Sequence, residues 1–488
     1  MFHELSTLQV QQQDILLCFG QLFVAFERNV SAFGHCGASL WRKGECLLCL
    51  CSIVALIGGL VAYGNRNFHT NISKKDGRLI VGLMWILIPL FGALPYAFDA
   101  KDFTLTDAIF ESYSGYTTTG ASVLDDVESV SKAVLFYRSF TQWIGGLGFA
   151  ILVIMFVRNF PEGAKNLFNA EFNSIEKEKD RPHIKNTVYK IFFLYLFFSI
   201  VCCILLSFGE MSVFEAVCNT FATISTGGFS ISNGNMGAYS DYSRNVVMVF
   251  MFLSGISYFL LIWLARGKFK KVFKDEQLQY YCSIILVCSL LLALYFVFVD
   301  NMSFFSGLKD ALFYIISTLS TTGFDLKVSR LGLFASTFLI LLMFIGGCSA
   351  SSSTGLKIIR LITLLKYIPV AIKRMFHPRA IIPVRYNGKA LRDDEVSLVF
   401  GFFFLFFVIF LLGIMLLTVA GNSLLHSIAL SAASVSNVGP IMGSVAEGFS
   451  YSALGAGSKS VLIVLMLLGR LEIYALIAVV SPTVWKRD

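Results

Sequence analysis

Long apolar runs dominate this chain, and the breaks between them repeat fourfold. Each time, a run long enough to cross a bilayer as a helix of about 20 residues leads into a shorter stretch of small, hydroxyl and apolar residues. A glycine-ended loop follows, then a second long run. The loops read Tyr116-Thr117-Thr118-Thr119-Gly120, Ile224-Ser225-Thr226-Gly227-Gly228, Leu319-Ser320-Thr321-Thr322-Gly323 and Val435-Ser436-Asn437-Val438-Gly439. Counting back 13 residues from each final glycine reaches Asp107, Glu215, Asp310 and His426, a common register. Each intervening stretch holds about two or three helical turns, too few to span a membrane. The pattern predicts membrane helix, half-helix, filter loop and membrane helix in four parallel copies around one pore, a pseudo-fourfold all-α membrane fold. The divisions are 1–78 for N-terminal helices, 79–158 for the first repeat, 159–266 for a polar linker and the second, 267–371 for the third, and 372–488 for a basic segment and the fourth. A span is also predicted at 46–63.

Composition agrees with a polytopic membrane protein: 56% of the 488 residues are hydrophobic and 14% charged, with a mean hydropathy of +0.72. The net charge of +8 does not point to nucleic acid. Its basic residues gather in connections between repeats, such as Arg158, Lys165, Lys177, Arg266, Lys270, Lys271, Lys373, Arg374 and Arg385. Positive loops stay on the cytoplasmic side, so both ends of every repeat are predicted there and the filter loops open outward. The 11 cysteines are scattered through apolar stretches. Cys46 and Cys49 form a CxxC by spacing only, with no histidine nearby, and read as apolar filler rather than a metal or disulfide site. No cleavable leader is expected.

Irregular backbone survives at membrane depth only where protein buries it or water lines it. Four such loops converging on one axis could offer carbonyls, and threonine hydroxyls, in place of a cation's water shell. Glycine suits the conformation this demands. Four ordinary turns are the bland alternative, and the shared register argues against it. By themselves the loops indicate a monovalent cation and no more.

Two further features sit in predicted membrane helices. The second long run of the third repeat breaks after Ile345 into Gly346-Gly347-Cys348-Ser349-Ala350-Ser351-Ser352-Ser353-Thr354-Gly355. Ten small and polar residues cannot lie in lipid. The run after them carries Lys357, Arg360 and Lys366, too much charge for an independent span. A broken helix with a flexible loop inside the pore accounts for both. In the last predicted span, 460–485, Arg470 stands at a cost of roughly 2.5–3.5 kcal/mol on insertion scales, which marks a functional residue or an ion pair. Both features are expected well beyond the filters, toward the cytoplasm. Gly145-Gly146-Leu147-Gly148 in the span 133–157 is read as a close-packing patch; no strand precedes it, against a dinucleotide loop.

In these residues the chain resembles the TrkH family, the membrane subunits of bacterial Trk potassium uptake systems within the Trk/Ktr/HKT superfamily. The resemblance rests on the four loops, on residues 346–355, on His377-Pro378-Arg379 and on Gly469-Arg470-Leu471-Glu472-Ile473-Tyr474, and covers about residues 66–486. It implies that potassium, the transported ion and not an organic cofactor, binds at Thr118, Thr119, Gly120, Thr226, Gly227, Gly228, Thr321, Thr322, Gly323, Asn437, Val438 and Gly439. It implies a gate of Gly346, Gly347, Ser349, Ser351, Ser352, Ser353, Gly355 and Arg470. It further implies a homodimer among the lipids of the bacterial inner membrane, and a cytoplasmic nucleotide-binding regulatory subunit, TrkA-like and of the RCK type. The fourth loop, Asn437-Val438-Gly439-Pro440, departs from the threonine pattern and makes the fourfold symmetry imperfect.

A sodium-permeable pore, or a proton- or sodium-coupled symporter of the same architecture, is the alternative within transport. A secondary carrier of a small solute would show inverted repeats or paired broken helices, which the four parallel copies do not. No cluster of histidine, cysteine and carboxylates suggests an enzyme, and a receptor or scaffold leaves the four buried loops unexplained.

Overall fold

A computed structural model describes residues 74–99, 103–149, 151, 184–326, 331–377, 379–380, 382–440, 449–471 and 473. The helices predicted before residue 74, the linker up to residue 183, Pro378, Glu472 and the end of the last predicted span lie outside these residues.

Among the described residues, four helices are long and apolar enough to cross a membrane: Leu79–Ala97, Asn186–Ser207, Glu276–Phe298 and Asp393–Val419. They are the first helices of the four repeats. Their polarity is reversed relative to a soluble bundle. On the helix Ile184–Ser207, Phe193, Phe197, Ile200 and Ile204 form an exposed stripe, spaced three and four apart as one helical face requires. Inside, Ser114, Thr119, Asn219, Thr322, Ser431 and Asn437 are fully buried. Lipid is the solvent such a surface fits.

The half-helices run Leu105–Tyr116, Val213–Ile224, Phe304–Leu319 and Leu424–Ser436. Their shared register is explained by capping. Thr104 with Asp107, and Ser212 with Glu215, form reciprocal capping boxes; Ser423 accepts the backbone N–H of His426. These pairs satisfy donors that a helix start leaves open. The third half-helix starts about one turn earlier, at its cap Ser303, so Asp310 lies within it and caps nothing.

The second helices all stop short. Lys132–Leu147 ends at Gly148, whose φ is 89°. Asp241–Ser254 is followed by Tyr258–Ala265 at 103° to it. Leu333–Met343 gives way to residues 344–357 before Ile358–Phe376 resumes. Ala456–Arg470 ends in a turn, and Ile473 takes φ 62°. From the sequence, one broken second helix is expected, in the third repeat. The structure interrupts those of the first, second and fourth repeats as well, and the reason lies in what they pack against. A Cβ on Gly145 would overlap the Tyr116 carbonyl oxygen, one on Gly146 the Ser225 backbone, and one on Gly469 the Val435 carbonyl oxygen. The glycines of the predicted packing patch thus admit the C-terminal ends of the first two half-helices, where the filter loops begin, and Gly148 is a helix stop.

These packings close a ring. The first half-helix touches the second helices of repeats one and four; the second half-helix touches that of repeat one; the third, that of repeat two; the fourth, that of repeat three. Each filter loop is therefore wedged between its own repeat and the one before it. A two-stranded hairpin, Arg385–Tyr386 paired with Lys389–Ala390, interrupts the connection from the third repeat to the fourth.

Candidate functional site

Each filter loop leaves the C-terminal end of a half-helix and turns through the same backbone states. Thr118, Thr226, Thr321 and Asn437 have φ of 55°, 55°, 61° and 51°; two residues on, Gly120, Gly228, Gly323 and Gly439 have φ of 81°, 75°, 78° and 102°. Two left-handed positions in three residues turn the backbone sharply without forming a strand. For the threonines this costs of order 1–2 kcal/mol each, which persists only where surrounding structure fixes it.

Carbonyls of neighbouring loops do the fixing. A Cβ on Gly120 would overlap the Gly227 oxygen. One on Gly228 would overlap the Thr322 oxygen, one on Gly323 the Val438 oxygen, and one on Gly439 the Thr119 oxygen. The series runs from repeat one to two, three and four, then back to one. The carbonyls of Thr119, Gly227, Thr322 and Val438 are thus brought into one closed ring, each over the glycine of the preceding loop. The predicted filter residues come together, and the glycines are required because no side chain fits between adjacent loops.

The threonine hydroxyls, expected as oxygen ligands, carry partners within the protein. Thr119 shares a hydrogen bond of 2.8 Å with Thr117 and accepts one from Asn437 Nδ2 at 2.8 Å. Thr322 pairs with Ser320 at 2.8 Å, and Thr226 donates to the Ser225 carbonyl at 2.7 Å. Asn437 Nδ2 also donates to the Met466 carbonyl, at 2.9 Å, while its Oδ1 is a buried acceptor without a partner. The odd residue of the fourth loop therefore ties that loop to the first.

Polar residues outside the loops brace them. Gln142 on the first repeat's second helix donates to the Gly227 carbonyl at 2.7 Å and accepts the Phe229 N–H at 3.2 Å. Arg138, one turn earlier, pairs with Glu111 of the first half-helix at 2.7 Å, with both side chains 1% exposed or less. Glu111 accepts the Val123 N–H and the Ser122 hydroxyl; Arg138 donates to Ser122 Oγ and the Ser230 carbonyl and lies over the Phe229 ring. The pair holds the segments leaving the first two filter loops. None of Glu111, Arg138 and Gln142 was singled out from the sequence, although the reasoning that marks Arg470 in its span applies equally to Arg138 in the span 133–157.

Residues 346–355 lie directly beneath the ring, not well beyond it, and fold as a closed loop. Its neck is made by Leu356 N–H to the Phe344 carbonyl at 3.1 Å and Ile358 N–H to the Gly347 carbonyl at 3.0 Å. A Cβ on Gly346 would overlap the Thr354 oxygen, so the neck needs glycine. The loop is buried throughout, with Cys348 and Ser349–Thr354 at 5% exposure or less. Its polar groups seat on the ends of half-helices and broken helices. Ser352 Oγ donates to the Ile224 carbonyl at 3.1 Å and Thr354 Oγ1 to the Ser436 carbonyl at 2.6 Å. Thr354 N–H reaches Thr321 Oγ1 at 3.1 Å, and Cys348 N–H the Gly255 carbonyl at 2.9 Å. Helix ends leave such carbonyls open and carry partial negative charge.

Arg470 is also adjacent to the ring. Its guanidinium donates to Thr118 Oγ1 at 3.1 Å, the Ser352 carbonyl at 3.0 Å and the Gly145 carbonyl at 2.5 Å. One side chain from the fourth repeat thereby fastens the first filter loop, the broken end of the first repeat's second helix, and the loop of the third.

Four half-helices presenting a backbone ring inside a membrane bundle define a membrane ion-transport protein built from four helix, half-helix, helix repeats. Comparison with known proteins agrees. The model of the TrkH family, described as cation transport protein, matches residues 50–486. The Trk system potassium uptake protein TrkH of Escherichia coli K12 is 32% identical over 443 residues, 89% of this chain and 91% of that one. TrkH of Vibrio parahaemolyticus is 32% identical over 462 residues, 92% and 94% of the two. The crystal structure of the potassium transporter TrkH from Vibrio parahaemolyticus superposes with a TM-score of 0.88 at 30% identity, over 98% of this chain and 100% of that one. The chain belongs to the TrkH family of cation transport proteins, and its class is transport, not enzymatic catalysis.

Two outcomes follow. Alanine at Gly120, Gly228, Gly323 or Gly439 should lower cation selectivity or abolish uptake, because the added Cβ displaces a ring carbonyl; cation uptake by cells lacking other potassium systems measures this, and normal uptake with unchanged selectivity in all four variants would contradict it. Arg138→Met, which strands a buried carboxylate, should lower stability by about 3–5 kcal/mol in thermal unfolding in detergent, with partial recovery in the Glu111→Gln/Arg138→Met double variant.

Proposed function

We propose that the chain conducts potassium inward across the bacterial cytoplasmic membrane through a single pore, selecting it at the ring of Thr119, Gly227, Thr322 and Val438 carbonyls. The other filter positions, Thr118, Gly120, Thr226, Gly228, Thr321, Gly323, Asn437 and Gly439, shape that ring. The observation that carries this reading is the cyclic closure of the glycine-to-carbonyl contacts, since carbonyl oxygens on one axis suit a dehydrated monovalent cation. Relatives named as potassium uptake proteins favour potassium over sodium, and the repeat divisions follow those set out above.

The loop 346–355 with Arg470 is the gate. The C-terminal ends of half-helices favour a cation that leaves a filter. Hydroxyls of Ser352 and Thr354 occupy two of those ends, where water or an ion would otherwise sit, and Arg470 adds a fixed positive charge beside them. With the loop seated and the site dry, a cation meets like charge at low dielectric; with the loop withdrawn and water admitted, screening lowers that barrier. A cytoplasmic nucleotide-binding subunit, acting on the basic segments near 158–185 (largely outside the described residues), 266–274 and 373–392, biases the two states, and two copies of the chain form the working unit.

Proteoliposome flux tests the reading. Purified protein should take up Rb+ and K+ well ahead of Na+; equal Na+ flux would replace it with the sodium-permeable alternative. Deleting 348–353 should raise basal flux and weaken dependence on the regulator. Arg470→Ala should raise flux while keeping K+ preference, and the combination should gain less than the sum of the two, as for elements that share one barrier. Wild-type flux in both single variants, correctly folded, would make the loop and the arginine structural.

A further inference from the structure

We propose that Gln277 and Tyr386 are positioning residues that hold the loop 346–355 in its seat, and that the Arg385–Ala390 hairpin acts on the loop through them. This rests on the reading of that loop as the gate.

Gln277 is the second residue of the helix Glu276–Phe298, and it is fully buried. Both ends of its amide are used. Its Oε1 accepts the Ser349 N–H at 2.8 Å, inside the loop; its Nε2 donates to the Tyr386 hydroxyl at 2.9 Å, on the hairpin. Ser349 is 72 residues away and Tyr386 is 109 residues away, so one short side chain joins two otherwise remote segments. A leucine would fill the same volume. An amide is needed only because a buried N–H without an acceptor is costly.

The hairpin is built to transmit force to that amide. Arg385, Asn387, Gly388, Lys389 and Ala390 are exposed, while Tyr386 alone of these six positions turns inward and is buried. At its turn, Asn387 Nδ2 donates to Asp275 Oδ2 at 2.8 Å and its Oδ1 accepts the Glu276 N–H at 2.9 Å, so the turn grips the start of the helix that carries Gln277. Lys366, on the helix leaving the loop, donates to Glu276 Oε2 at 2.6 Å and to the Arg385 carbonyl at 3.1 Å. The hairpin therefore holds both the helix bearing the amide and the helix that follows the loop. Displacing it withdraws Tyr386 from Gln277, loosens the amide, and frees the Ser349 N–H.

The test is single-channel recording and Rb+ flux on the full-length protein in liposomes, without any partner. Gln277→Leu should raise basal open probability about two- to tenfold, the equivalent of one net hydrogen bond, with unitary conductance and the K+/Na+ ratio unchanged. Tyr386→Phe, which keeps the ring and removes the hydroxyl, should act in the same direction. The double variant should equal Gln277→Leu, since the phenol works through the amide. Gln277→Glu, which keeps an acceptor for Ser349, should fall nearer the wild type. A merely structural role would lower yield and melting temperature without moving open probability. If deleting 348–353 raises flux while Gln277→Leu and Tyr386→Phe stay at the wild-type level, the positioning role is wrong and the gate stands. If the deletion also leaves flux unchanged, the gate reading fails and this inference fails with it.

Discussion

Backbone carbonyls cannot be left bare in a membrane interior, and yet a cation stripped of water needs them bare. As the proposed filter, the closed ring of loops would meet both demands. Each loop covers the preceding one, and the only residue that allows the approach is glycine with φ between 75° and 102°. Chain geometry then dictates much else. The half-helices must be short, because their C-terminal ends have to stop at the ring. Their starts must be capped, which Thr104 with Asp107 and Ser212 with Glu215 accomplish.

The breaks in the second helices follow from the same ring. A straight span at full length would carry side chains into the filter backbone, so Gly145, Gly146 and Gly469 sit at the contact and the helices end nearby. Ending a helix exposes carbonyls. The structure satisfies them with Arg470, the Cys348 N–H and the hydroxyls of Ser352 and Thr354. The elements read as a gate are thus the same groups that complete the hydrogen bonding of the filter's underside. Withdrawing the loop would trade these protein donors for water or a cation.

Much of this was legible in the sequence because it rests on residue types with few substitutes. A glycine four times in register, with threonine in three of the loops, pointed to the ring, and ten small and polar residues in an apolar run pointed to the loop. What escaped depends on partners far apart in the chain. Arg138 and Glu111 look like isolated polar residues until the fold places them 2.7 Å apart. Gln142 is unremarkable until it meets the Gly227 carbonyl. The early stop at Leu147 has only Gly148 to announce it, and the matching register position Asp310 misled slightly because Ser303 caps its half-helix a turn sooner. The depth of Arg470 was misjudged for a related reason: with its helix assumed continuous, nothing in the sequence brought it level with Thr118.

The central claim is that the carbonyls of Thr119, Gly227, Thr322 and Val438 form one cation site on a common axis. Anomalous diffraction from crystals grown in Rb+ or Tl+ examines it most directly. The account predicts a peak on that axis, bounded by these four oxygens, which fades when Na+ replaces the heavier ion. A transport-competent protein whose ion peaks lie elsewhere, with none within the ring, would contradict it.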